Sequence, residues 1–538
     1  MLDKLSTEFT PRVYAHRRRW TQSGLSPIAL GLTAALVALV ATGCAPTTGS
    51  VDSADAPESA AEPTVQGADP EPAAATFTPE QLREDFTTLY GQLEEAHFNL
   101  YVHASKADYD ARFKADLAAL DRPLDSFETA TTFQRFMAFG RIGHARIDTP
   151  SGAYGDYRAG GGTAPPFFFR VIDGRVLVTE SYAAPGQEPA LRAGDEILTL
   201  DGQPMSSWLE RLRGHISAES AYMADSLLEF WFPRLLWLED GERASYTLEI
   251  RGADAEAPRT VTAAALTQEQ IRSGSADAPE RLALDWNARS ARMLDGDVAY
   301  LRPGPFYEPE SAGGYDPEAF QTFLDESFAD FFAADAGALI VDLRDNPGGD
   351  NSFSDRMVAY FADGRFRFCS AFRIKVSAQT RASHGARLEL NPHLADDSPG
   401  SFSDLYANNP DGAVVDFEIP WNEPREGRRF EGEVYVLINR HSFSNAVTVA
   451  ALIQDFEFGT VIGEPTSDLA TSYGAMEQFT LPHTGIKVGY PKAHLVRPNG
   501  DERLRGVTPD IAIKTPLIQG PEDPVLREAL ALVTARRR

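Results

Sequence analysis

Cysteine is nearly absent: the 538 residues contain two. That excludes a disulfide-stapled scaffold and any multi-cysteine zinc or iron–sulfur centre. Basic charge is also short. Lys and Arg number 50 against 78 Asp and Glu, a formal net charge of −28. A duplex nucleic-acid binder presents a basic patch, and this chain as a whole repels phosphate, so no nucleic-acid partner is expected. No His, Cys, Asp or Glu cluster has metal-site spacing, and neither metal nor cofactor is expected. What is present is globular. The chain is 43% hydrophobic, 10% aromatic and 24% charged, which rules out a wholly disordered protein. At roughly 100–200 residues per domain, its length suggests about three to five units.

The first 43 residues read as an address. Arg17, Arg18 and Arg19 precede an uncharged stretch through Leu30 and Leu36 to Val40, followed by Ala41–Thr42–Gly43–Cys44. A basic start, an apolar middle and small residues before a cleavage point describe an export signal. A cysteine at that point resembles a bacterial lipoprotein box, which makes Cys44 the lipidated first residue of a protein held at the cell envelope. The alternatives are a single transmembrane anchor, plain secretion and a twin-arginine export signal. Residues 44–76 then form an acidic tether. From Ala45 to Thr76 there is no Lys or Arg and almost no large apolar residue, so the segment cannot bury enough surface to order itself. Cys369 is left as a lone, inert thiol.

The body begins near Phe77 and divides in three. Residues 77–160 are helical: Leu82, Phe86, Leu89, Tyr90 and Leu93 recur at three- and four-residue steps, and Tyr109, Phe113, Leu117 and Leu120 repeat the pattern. This subdomain ends near His144. Residues 165–266 change to short strands, with Phe167–Phe168–Phe169 and Arg175–Val176–Leu177–Val178 joined by Asp173–Gly174, a hairpin signal. Residues 290–520 alternate strand and helix, which argues an α/β core with its site at the carboxyl ends of the strands.

Two of those strand ends carry chemistry-bearing residues. The buried strand Ala338–Leu343 runs into Arg344–Asp345–Asn346–Pro347–Gly348–Gly349, a turn that frees backbone N–H groups. The strand Val434–Asn439 runs through Arg440–His441–Ser442–Phe443 to Ser444, at the start of a helix whose N-terminus suits an oxyanion. Read singly, the first is a tight turn and Ser444 is an N-cap.

Together these segments resemble the tail-specific (C-terminal processing) serine peptidase family. Gly463–Glu464–Pro465–Thr466 and Gly506–Val507–Thr508–Pro509–Asp510 add to the likeness. Pro189–Ala190–Leu191–Arg192–Ala193–Gly194–Asp195 with Asp201–Gly202 resembles a PDZ signature, in the place that family puts it. The resemblance implies a crotonase-like α/β catalytic core with an N-terminal helical subdomain and a PDZ-like insert. The insert would receive a peptide by strand addition, with Phe167, Phe168 and Phe169 as substrate-binding residues. The activity implied is hydrolysis of peptide bonds in protein or peptide substrates, taken by their C-terminal ends.

The Lys-dependent branch of that family follows its serine with Ala-Ser-Glu and keeps a lysine base after the Gly-Glu-Pro-Thr turn. Here Asn445–Ala446–Val447 follows Ser444, and Leu469 fills the lysine's slot. The resemblance therefore turns to the tricorn-like and retinoid-binding-repeat branch. That branch implies Ser444 as nucleophile, His144 as base, Glu502 (or Asp501) as the relay acid, and an oxyanion hole from Asn445 and Gly348 or Gly349. A neutral imidazole suits the task near neutral pH. Gly143 stands where that branch has a serine. Ser442 is the rival nucleophile, and His441 is read as structural. The alternative function is a catalytically idle peptide- or lipid-binding protein of the same fold.

Overall fold

The computed structural model describes residues 76–147, 151–255, 257–277, 284–308, 316–518 and 522–536. The expected export signal, Cys44 and all of the expected tether but Thr76 lie outside the described residues. Among the described residues, no helix is long and apolar enough to cross a membrane.

The fold is mixed α/β. Its centre is a six-stranded sheet in the order Ser290–Leu294, Val298–Arg302, Ala338–Asp342, Glu433–Ile438, Thr460–Gly463, Ile511–Ala512. The first pair is antiparallel and the others parallel. Both faces are covered, as parallel sheets require. Leu339, Val341, Val436 and Ile438 pack under the helices Glu318–Ala333, Asn351–Val358 and Asn445–Asp455. Ile340, Tyr435 and Leu437 point to the other face, against Val525, Ala529 and Val533 of the helix Pro524–Arg536. The near-continuous apolar runs in these strands are the sequence signature of that double burial.

A second, five-stranded antiparallel sheet is built on the long hairpin Ser472–Thr480 and Lys487–Val496. The N-terminal helices Pro79–Ala96, Lys106–Ala119 and Ser126–Phe139 each begin with a capping box, which satisfies two otherwise orphaned N–H groups. Their aromatic core (Phe86, Phe133 and Phe136) joins Phe479, Val488 and Tyr490 of the hairpin. The chain leaving the third helix is pinned there too, because Arg146–Ile147 pairs with Val488 and Gly489. His144 is thus held between a helix end and a fixed strand.

The insert has its own core, with Trp208, Leu228 and Phe232 beneath a seven-stranded sheet. Here the structure corrects an expectation. Phe167 and Phe169 are 1% and 2% exposed, and both face the helix Ala221–Asp240, with the Phe232 ring 4.6 Å from Phe169. Alternation along a strand puts residues two apart on one face, and that face is the core. Phe168 is half-buried, edge-on to Tyr182. Phe167 and Phe169 build the insert and have no surface left for a substrate.

Candidate active site

The site forms where two strand ends meet. Ser442 is fully buried, and its hydroxyl donates to Leu343 O at 2.7 Å. It ties one turn to the other and is no nucleophile. Asn346 organises the remainder: its Nδ2 donates to Gly304 O at 2.7 Å, and its Oδ1 accepts from Gly348 N–H at 2.9 Å. Gly348 has φ +87°, and a Cβ there would lie 2.6 Å from Phe443 O and 2.9 Å from Ser444 Cβ. Only glycine fits so close to the serine.

Ser444 itself has φ 52° and ψ −121°, and its side chain makes no capping bond. A non-glycine residue in that region stores strain of about 1–3 kcal/mol, and such residues cluster at functional sites. The hydroxyl is thereby turned away from the helix it precedes. His144 Nε2 lies 3.5 Å from Ser444 Oγ, bridging 300 residues of sequence. The imidazole is 6% exposed and stacks on Phe443 at 5.4 Å between centroids. Burial lowers its pKa from the usual 6.5, opposed by the charge of Asp468 and reinforced by Arg146. It is neutral at pH 7, the form that can accept a proton.

Of the expected oxyanion donors, Gly348 N–H is already taken by Asn346. Gly349 N–H and Asn445 N–H have no acceptor among the described residues, and the latter opens a helix, where N–H groups lack internal partners. Gly349, Asn445, His144 and Ser444 line one cleft of about 1690 Å³. It extends over an apolar floor that includes Phe372, Phe402 and Phe417.

Glu502 does not join this group. Its side chain is 61% exposed and pairs with Arg373 at 3.3 Å, and its charge bears on His494. Asp501 pairs with Arg503 and Arg505. A relay acid has to lie buried against the imidazole, and neither does. The loop Arg497–Arg503 is fixed at one end by Arg497 on the Asp455 carboxylate and internally by Arg503 on Asp501. Asp468, only 1% exposed, stands nearer: its Oδ2 accepts from Ser444 N–H at 2.6 Å. Sequence reasoning passed over it because attention fell on the neighbouring slot of Leu469.

Lys492 and Lys375 are engaged elsewhere. Lys492 is buried against Glu477 at 2.6 Å, which raises its pKa. Lys375 donates to Glu94 O and His97 O. Burial pushes the Cys369 thiol up to about 12, which keeps it unreactive.

A strained serine facing a neutral histidine, beside free backbone donors in a cleft, is the equipment of a serine hydrolase. Residues 297–513 match the profile of peptidase family S41. The protein is a serine-type peptidase, and this segment is similar to the S41 peptidases. The chain is also similar to the crystal structure of mature CPAF, at 17% identity and a TM-score of 0.56, covering 85% of this chain and 98% of that one. Its complex with lactacystin matches at 16% identity and a TM-score of 0.54, with 85% and 97% covered. At such identities the likeness speaks for the fold.

Proposed function

We propose that the protein is an exported, lipid-anchored endopeptidase that cleaves protein or peptide substrates by a Ser–His mechanism of the tricorn-like kind. The observation that carries this reading is the 3.5 Å approach of His144 Nε2 to Ser444 Oγ inside the cleft. Ser444 Oγ attacks the scissile carbonyl as its proton passes to His144 Nε2. The oxyanion is held by Asn445 N–H and Gly349 N–H. The imidazolium then gives its proton to the leaving amine, and water repeats the sequence on the acyl-enzyme. The PDZ-like insert engages the substrate's C-terminal end with main-chain groups rather than with the rings of Phe167 and Phe169. The anchor is lipid on Cys44, a reading supported by the run of residues 17–44.

A fluorophosphonate probe tests the chemistry. Wild-type protein should be labelled at Ser444, and the Ser444→Ala and His144→Ala proteins should not. Labelling of the Ser444→Ala protein at the wild-type rate removes the reading. For the anchor, Cys44→Ala should move the protein out of the detergent phase.

A further inference from the structure

The Ser–His reading leaves the second nitrogen of the base to be explained. For Nε2 to accept the Ser444 proton, the ring's own proton must sit on Nδ1. His144 Nδ1 is buried and has no hydrogen-bond partner. A buried N–H without an acceptor costs about 1–3 kcal/mol. Two acceptors with the same lack belong to its neighbours: Asp468 Oδ1 and Glu219 Oε2. Their other oxygens bracket the catalytic pair. Asp468 Oδ2 takes the N–H of Ser444 at 2.6 Å. Glu219 Oε1 takes the N–H of Gly143, the residue before the histidine, at 2.9 Å.

Gly143 shows why this carboxyl is there. A Cβ at 143 would lie 2.9 Å from Glu219 Oε2 and 2.5 Å from Met223 Cε. Met223 and the glutamate together fill the space that a side chain at 143 would need. Glu219 immediately precedes Ser220, which caps the helix Ala221–Asp240 through Met223 N–H, so its backbone is fixed by the insert.

Resting on the Ser444–His144 reading, we propose that Glu219 and Asp468 form the acidic arm that positions His144, with Glu219 supplied by the inserted domain. Burial and the charge of Asp468 push Glu219 up to about 8. At pH 7 Glu219 therefore holds its proton and the charge beside it is that of Asp468, since like charges close together resist joint ionisation. That single charge faces the imidazole, opposed on its own strand by Arg146. It favours the tautomer with the proton on Nδ1 and stabilises the imidazolium once the Ser444 proton arrives. Glu219 and Asp468 are positioning residues; they touch no reacting atom.

The test uses the intact protein, p-nitrophenyl ester turnover over a pH series, and thermal melting of each variant. Asp468→Asn turns a carboxamide N–H toward Nδ1 and selects the wrong tautomer. It should lower kcat about 10²–10⁴-fold, with KM within threefold. The acid limb of its pH profile should move to lower pH, because the anion that raised the His144 pKa is gone. Asp468→Glu should recover part of kcat. In wild type the rate should rise a second time above about pH 8, as Glu219 ionises and adds a second anion beside the imidazole, and Glu219→Gln should abolish that rise. The Glu219→Gln profile also decides the matter if Asp468→Asn melts early. The proposal is overturned if both amide variants keep kcat within threefold and keep the wild-type profile while Ser444→Ala and His144→Ala are inactive. If Ser444→Ala keeps its activity, it is the Ser–His reading that fails.

Discussion

His144 and His441 both pack close to the turn that presents Ser444, yet their surroundings drive them in opposite directions. His144 stacks on the Phe443 ring with its Nδ1 unpartnered, and burial depresses its pKa. His441 is clasped by Asp345 at Nδ1 and Glu229 at Nε2, each at 3.2 Å, and the two carboxylates raise it to about 9. One is neutral and able to take a proton. The other is a fixed cation that cross-links the insert to the nucleophile turn. Nearness in sequence to the serine therefore says little, since the residue three places away is the structural one. The charge count around each ring decides its role.

The largest effect that could break this contrast is on turnover. His144→Ala should lower kcat by on the order of 10⁴ or more, and His441→Gln should not approach that loss. Gly348→Ala comes next. The added Cβ meets Phe443 O and Ser444 Cβ at a positive φ, and displacing the serine by about 1 Å costs about 10²-fold in kcat. Steady-state kinetics on the ester substrate reads both.

The next effect is on stability. The pKa of His441 is raised on folding, so its contribution is complete below about 6.5 and is lost as the pH rises through about 9. Urea midpoints should fall between pH 6.5 and 9 in wild type, and His441→Gln should flatten that fall. The smallest effect belongs to Ser442→Ala. It takes the acceptor from Asn439 N–H and one of the two donors from Leu343 O, and should cost about 1–3 kcal/mol in chemical denaturation, with fluorophosphonate labelling retained.

What the sequence could show followed from local rules. Apolar runs marked the strands Ala338–Asp342 and Glu433–Ile438, and the turns after them carry Gly349 and Ser444 where the structure brings them together. His144 was named from resemblance, and 300 residues of chain separate it from Ser444, a distance that periodicity cannot bridge. Glu219 was invisible, because nothing in Ala218–Glu219–Ser220 distinguishes a carboxyl aimed at another domain from one in water. Its trace was Gly143, a missing side chain whose space had to be filled by something. Glu502 was misplaced because motif spacing fixes backbone position but not which way a loop leans. The three adjacent phenylalanines misled by number; strand alternation alone sends Phe167 and Phe169 inward.

The insert is joined to the core by more than two chain crossings. Glu229 meets Arg440 at 2.9 Å, and Arg170 reaches Glu464 at 3.4 Å, both across the junction beside Ser444. The parts of the site also come from distant stretches of chain, and the sheet that holds them closes only with Ile511–Ala512. A chain emerging from synthesis therefore holds the histidine without the serine until 300 further residues are placed, and the sheet beneath them is complete only once Ile511–Ala512 pairs. The order in which the chain is assembled thus sets when the two halves of the site can first meet.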